Sequence, residues 1–185
     1  MANKILFINA CVREESRTLE LSRHLLDCID GEITEVNLYK ENLLPLDGEG
    51  LEKREKHDYS GNGFELAKQF KEAETVVVAA PFWDLSFPSV LKVYFENITI
   101  TGVTFEYSDK GKPVGKCKAK KLCYVTTSGG YIGDNNFGFD YVSALAKNFY
   151  GIDDVKFFSA EGLDIFGADV KTIMEMAKEK IEKSI

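Results

Sequence analysis

The sequence predicts an α/β protein built on a doubly wound, five-stranded parallel sheet with strand order 2-1-3-4-5. Two observations carry this. Five short apolar runs alternate with segments of helical spacing from one end of the chain to the other, and no repeat or linker divides them. The runs also differ in kind: 4–9 and 76–80 are apolar almost throughout, as strands covered on both faces must be, whereas 32–38 alternates polar and apolar as an edge strand does. An alternating second strand at the edge, with the first and third inside, favours this order over 3-2-1-4-5-6. At 185 residues the chain is expected to form one domain, 1–185, burying roughly 70% of the surface of its unfolded form.

The elements follow in order. Lys4 to Asn9 is the first strand, and Leu21, Leu25, Leu26, Cys28 and Ile29 fall at helical spacing after it. Gly31 ends that helix, and 32–38 is the second strand. From Tyr39 to Gly63 the pattern dissolves into charge, glycine and single apolar residues, and so long a connection points to a flap or an interface. A second helix is predicted at 64–73. Val76 to Ala80 is the central strand, ended by Pro81, which has no N–H for the ladder. Ser86 and Pro88 read as the cap and first-turn proline of a helix over 89–97, with Val90, Leu91, Tyr94, Phe95 and Ile98 inward. Residues 102–114 carry the Asp/Gly turn chemistry of a small hairpin. Residues 121–126 form the fourth strand, Phe137, Tyr141, Leu145 and Phe149 mark the fourth helix, 155–158 the fifth strand, and Val170 to Ile181 the last helix.

A net charge of −7 leaves no basic excess for nucleic acid or an anionic membrane. The four cysteines, Cys11, Cys28, Cys117 and Cys123, have no metal-like or C-x-x-C spacing, and no apolar run of 18 or more residues or secretory segment occurs. A cytoplasmic protein with free thiols and no metal is expected. His24 reads as a solvated helix position and His57 as part of the charged loop, so neither is assigned to catalysis.

Strands one, three and four each end in an unusual loop, and in a parallel sheet these ends lie side by side, where ligands bind. The first loop, 11–18, puts the hydroxyls of Ser16 and Thr18 where helix one begins. With Arg13 or Arg17 nearby, they and the helix N–H groups suit a phosphate, although Ser16 also suits a plain cap. The loop lacks G-x-G-x-x-G and the Gly-Lys-Ser/Thr ending, which disfavours dinucleotide or triphosphate binding. Pro81-Phe-Trp-Asp-Leu85 offers aromatic surface and backbone donors, and Thr127-Ser-Gly-Gly-Tyr131 offers small residues that let a flat ring approach. Together the three loops suit a phosphorylated planar cofactor.

With these residues in view, Ser16-x-Thr18, Ala-Ala-Pro-Phe-Trp-Asp-Leu85, Gly-Val-Thr-Phe-x-Tyr107, Thr-Thr-Ser-Gly-Gly130 and Val-Lys-Phe-Phe-Ser-Ala-Glu-Gly162 make the chain resemble the FMN-dependent NADH azoreductase and NAD(P)H quinone reductase family, in order and nearly end to end. The resemblance implies a flavodoxin-like homodimer that binds FMN non-covalently, with active sites at the dimer interface. It implies ping-pong transfer of two electrons from NAD(P)H to a quinone, azo or nitroaromatic compound. FMN-binding positions carried over are Cys11, Ser16, Arg17, Thr18, Pro81, Phe82, Trp83, Asp84, Leu85, Thr127, Ser128, Gly129 and Gly130. Tyr107 and Phe149 match positions that shape the substrate pocket, and Tyr131 is expected to join them from the polar rim of the flavin. Catalysis would be centred on the flavin, with no separate catalytic side chain. Two residues depart from the family pattern: Cys11 stands where many relatives have Ser, and Asp84 where they often have Asn beside the flavin.

A flavodoxin-type electron carrier is the competing reading. It usually shows more hydroxyls in the phosphate loop and needs no pocket aromatics. A phospho-receiver domain would need clustered Asp residues at the end of strand one, where this chain has Asn9 and Ala10.

Overall fold

The computed structural model describes residues 2–185. Five parallel strands, β1 (Lys4–Asn9), β2 (Glu32–Asn37), β3 (Thr75–Ala79), β6 (Lys121–Thr127) and β7 (Asp154–Ala160), form one sheet in the order β2-β1-β3-β6-β7. This is the 2-1-3-4-5 order predicted. A two-stranded antiparallel sheet, β4 (Phe105–Tyr107) with β5 (Pro113–Gly115), is the predicted hairpin.

The absence of polar alternation in the inner strands has a direct cause. Alternate residues enter two cores. Leu6, Ile8, Val76, Val78, Leu122 and Tyr124 meet one set of helices, α3 (Asn62–Glu72), α4 (Ser89–Ile98) and α5 (Phe137–Leu145). Ile5, Phe7, Val77, Ala79, Cys123 and Val125 meet the other, α1 (Arg17–Asp27) and α6 (Val170–Glu182). Each fully buried aliphatic side chain contributes about 1.5–3 kcal/mol, so a strand with two covered faces needs apolar residues at every position. β2 has one neighbour only, and Ile33 on it is exposed.

Three local readings are corrected. Ser86 does not cap α4: it pairs with Trp83 in a two-residue bridge, and Pro88 occupies the cap position without a side-chain bond. The unassigned stretch 39–63 contains a short helix, α2 (Gly48–Glu55), that buries none of its residues. It is tied down by Arg54, whose guanidinium donates to the carbonyls of Glu96 (2.8 Å), Asn97 (2.9 Å) and Thr99 (3.4 Å) at the carboxyl end of α4. His24 is partly buried rather than solvated, with Nε2 3.1 Å from Glu182.

After α5 the chain makes a π-helical turn, Ala146–Tyr150, and Gly151 follows at φ 74° to deliver it to the amino end of β7. The hairpin packs against that turn so closely that a Cβ on Gly115 would lie 2.1 Å from the Tyr150 carbonyl carbon, which only glycine permits. No helix is long and apolar enough to cross a membrane among the described residues. All four cysteines are free.

Candidate active site

The register sets Asn9, Ala79 and Val125 in one row across β1, β3 and β6, so the three following loops start at one level. The ladder then continues past the strand ends: Ala10 N–H donates to Ala79 O (2.9 Å), Ala80 N–H to Val125 O (3.0 Å) and Phe82 N–H to Thr127 O (3.1 Å). Loop positions are thereby inherited from the sheet.

Between them lies a cavity of about 400 Å³, lined by Val12, Arg13, Glu15, Ser16, Arg17, Thr18, Pro81, Phe82, Trp83, Thr127, Ser128, Gly129, Leu163 and Asp164. Its volume falls within the ~300–1,000 Å³ of small-molecule and cofactor sites. On one wall Ser16 caps α1 by accepting from Leu19 N–H at 3.3 Å. The N–H groups of Arg17 and Thr18, ahead of that bond, have no partner among the described residues, the arrangement with which a helix start can hold an anion. Thr18 and Thr127 join their hydroxyls at 2.6 Å, locking the first loop to the third.

The second wall is the Pro81–Trp83 segment. The chain reverses just beyond it in a turn whose two central residues, Asp84 (φ 50°) and Leu85 (φ 65°), both have positive φ. Trp83 N–H donates to Ser86 O (3.0 Å), and Ser86 N–H to Trp83 O (2.7 Å). This is the backbone pattern of a type I′ turn, and for a residue such as Leu the left-handed region costs roughly 1–2 kcal/mol. Such strain gathers at functional sites.

The third wall is set from β7. Ser128 N–H donates to Ala160 O (3.0 Å), Leu163 N–H to Ser128 O (3.2 Å) and Asp164 N–H to Gly129 O (2.9 Å). Glu161 steadies it, accepting from Ser159 Oγ (2.8 Å) and from Ile132 N–H (3.0 Å).

Charges at the cavity alternate in sign. Arg17 pairs with Asp164 (Nη1 to Oδ1, 2.9 Å), while Arg13 has no ion pair among the described residues. Free helix N–H groups, a glycine wall and an aromatic wall fit a phosphate-bearing planar group.

The profile of a family described as having a flavodoxin-like fold matches residues 3–185. An FMN-dependent NADH:quinone oxidoreductase of Coprothermobacter proteolyticus is 36% identical over 97% of this chain and 96% of its own. The chain belongs to this family. Among solved structures, an FMN-dependent NADH-azoreductase of Bacillus anthracis in complex with FMN is 27% identical with a TM-score of 0.80, covering 98% of this chain and 97% of that one. An azoreductase of the Sterne strain superposes with a TM-score of 0.86 at 24% identity, over 98% of both chains, and speaks for the fold alone.

Against this family background, the residues singled out from sequence fall into four places. Ser16, Arg17, Thr18, Pro81, Phe82, Trp83, Thr127, Ser128 and Gly129 line the cavity. Asp84 and Leu85 form the exposed tip of the strained turn, and Gly130 and Tyr131 follow the glycine wall, with Tyr131 77% exposed. Cys11 lies underneath, buried, its N–H on Asn9 Oδ1 (2.9 Å); burial pushes its thiol up to about 11, against a smaller opposite effect of Ser16.

Tyr107 and Phe149 are elsewhere altogether. Both pack on Phe105, at ring separations of 5.3 and 5.0 Å. α5 starts from the carboxyl end of β6 and the π-turn hands over to the amino end of β7, so this aromatic trio lies at the opposite end of the sheet from the cavity. The separation is about 20 Å for strands of this length.

Leu163 and Asp164 were missed by sequence reasoning. The usable signal was topological: the fifth strand neighbours the fourth, so its loop must abut Ser128 and Gly129.

Proposed function

We propose that the chain, as one domain over 1–185, is an FMN-dependent oxidoreductase that passes two electrons from NAD(P)H to quinones, azo compounds or related aromatic acceptors. The observation that carries this is the cavity in which a helix N-terminus, an aromatic wall and a glycine wall converge, in a chain whose relatives are named for this activity. Bound FMN would supply the two-electron redox chemistry, with NAD(P)H leaving before the acceptor enters, the ping-pong order.

The protein's own residues bind and orient. The N–H groups of Arg17 and Thr18, with Ser16 and Arg13, hold the phosphate. Phe82 and Trp83 provide surface for the ring, and Gly129 keeps side-chain atoms out of its plane. Asp84 and Leu85 present the turn backbone at its edge. With the chemistry centred on the flavin, position and hydrogen bonding are what the protein contributes.

The second part of the reading is a homodimer. Tyr107 and Phe149 cannot reach the cavity of their own chain, and Tyr107, opposite Pro113 on the hairpin, stands 58% exposed. A second copy that lays this aromatic end over the first cavity makes both residues, with Tyr131 at the rim, walls of the acceptor pocket. A carrier that meets protein partners has no use for such walls, which is why the carrier reading is set aside.

One experiment addresses both parts: sedimentation of the chain with added FMN, followed at the flavin's visible absorbance, with FAD run in parallel. The expected result is FMN colour moving with twice the chain mass and little FAD bound. Colour on a fully active monomer contradicts the shared pocket; equal FAD binding contradicts the single-phosphate loop.

A further inference from the structure

Asp164 lies on no segment that the sequence reading assigned, yet it touches two walls of the cavity. Its main chain is fixed by the bonds of Leu163 N–H to Ser128 O and Asp164 N–H to Gly129 O, so its carboxylate starts from a set position. Oδ1 lies 2.9 Å from Arg17 Nη1. Oδ2 lies 2.5 Å from the place that a Cβ on Gly129 would take. A negative charge therefore sits between the cation of the phosphate loop and the glycine wall. Arg13 and Glu15 occupy the same cavity lining and offset one another in charge.

An anion arriving at the first turn of α1 thus meets an arginine that is already neutralised and a carboxylate that repels it. We propose that Asp164 sets the affinity of the site for the phosphate: the ligand binds by drawing Arg17 away from Asp164, and the carboxylate weakens binding of the phosphorylated flavin relative to the same ring system without a phosphate. The inference rests on the FMN reading above. Asp164 would then be a specificity-determining residue that keeps FMN exchangeable, acting through charge rather than through contact with the reacting atoms.

The shape of this effect separates it from a structural role. Asp164→Asn keeps the size and the main-chain bonds and removes the charge. Both members of the pair are substantially exposed, at 43% for Arg17 and 71% for Asp164, and exposed pairs of this kind correspond to roughly two- to fivefold in an equilibrium.

The test is a fluorescence-quenching titration of the flavin-free full-length chain with FMN and with riboflavin, for the wild type and Asp164→Asn. FMN is expected to bind about two- to fivefold tighter in the variant, with riboflavin unchanged and the FMN gain shrinking as salt is raised. An unchanged FMN dissociation constant, or equal tightening for both flavins, overturns the proposal. Failure of the wild type to bind either flavin overturns the cofactor reading itself, which the riboflavin arm makes distinguishable.

Discussion

Ser16 and Thr18 are each committed to a protein bond. Ser16 accepts from Leu19 N–H, and the Thr18 hydroxyl is hydrogen-bonded to that of Thr127. The cap reading and the phosphate reading of Ser16 are compatible, because a capping oxygen that accepts still has its own hydrogen to donate. This fixes what substitution does. Ser16→Ala with Thr18→Ala should weaken FMN by about 1–2 kcal/mol per lost charge-assisted bond, and should also cost about 1 kcal/mol of folding stability through the lost cap. Isothermal titration with FMN and urea unfolding of the same variant check the two effects separately; lost stability with intact FMN affinity leaves Ser16 as a cap alone. At this scale the sequence was legible where chemistry is local, as at the Ser-x-Thr helix start. It was illegible where the partner is remote: nothing near Arg17 in the chain announces Asp164, 147 positions away.

The elements that sequence reading found are those whose periodicity reports burial. β3 is buried at all five positions, and α4 buries Leu91, Tyr94, Phe95 and Ile98 at helical spacing. α2 escaped because it buries nothing, so its apolar residues have no period to keep. What fastens it is Arg54, half-buried, and burial lowers the tendency of its guanidinium to hold a proton. The carbonyls it reaches are among the last of α4, which the helix itself leaves unpaired. Arg54→Ala is therefore expected to destabilise the chain by about 2 kcal/mol, the range for hydrogen bonds to a charged group, and to speed proteolysis between residues 39 and 61. Urea denaturation with a timed protease digest measures both. Wild-type stability would mean that the segment is held by its other contacts, such as the Tyr59–Phe64 stack at 5.2 Å. The same scale explains why Tyr107 and Phe149 read as pocket residues and yet sit at the far end: a motif names residues without placing them along the sheet.

Across the whole molecule, the two cores hold groups that ionise less readily in the folded chain than in the unfolded one. Burial pushes the thiols of Cys11 and Cys123 up to about 11 and that of Cys117 up to about 12, from an ordinary 9.0. It also raises Tyr94, Tyr124 and Tyr150 above the ordinary 10.0. The folded chain keeps protons that the unfolded chain releases, so this contribution is complete below pH 9 and is lost as pH rises through 11 to 12. A series of urea midpoints should be flat up to about pH 9 and fall steeply above it; a flat series through pH 11 would mean that these side chains are not sealed in the fold. The sheet order was legible because covered and half-covered strands read differently, and the site because three loops had to share one edge. The central claim is that this edge carries flavin-based electron transfer from a nicotinamide donor. Its most direct test is anaerobic addition of NADH or NADPH to the FMN-loaded chain, with removal of the nucleotide and then addition of a quinone. The visible flavin band should bleach with the nucleotide and return with the quinone. A band that persists in the presence of both nucleotides, yet bleaches with dithionite, would contradict the claim and leave a flavin-binding protein that is not a reductase.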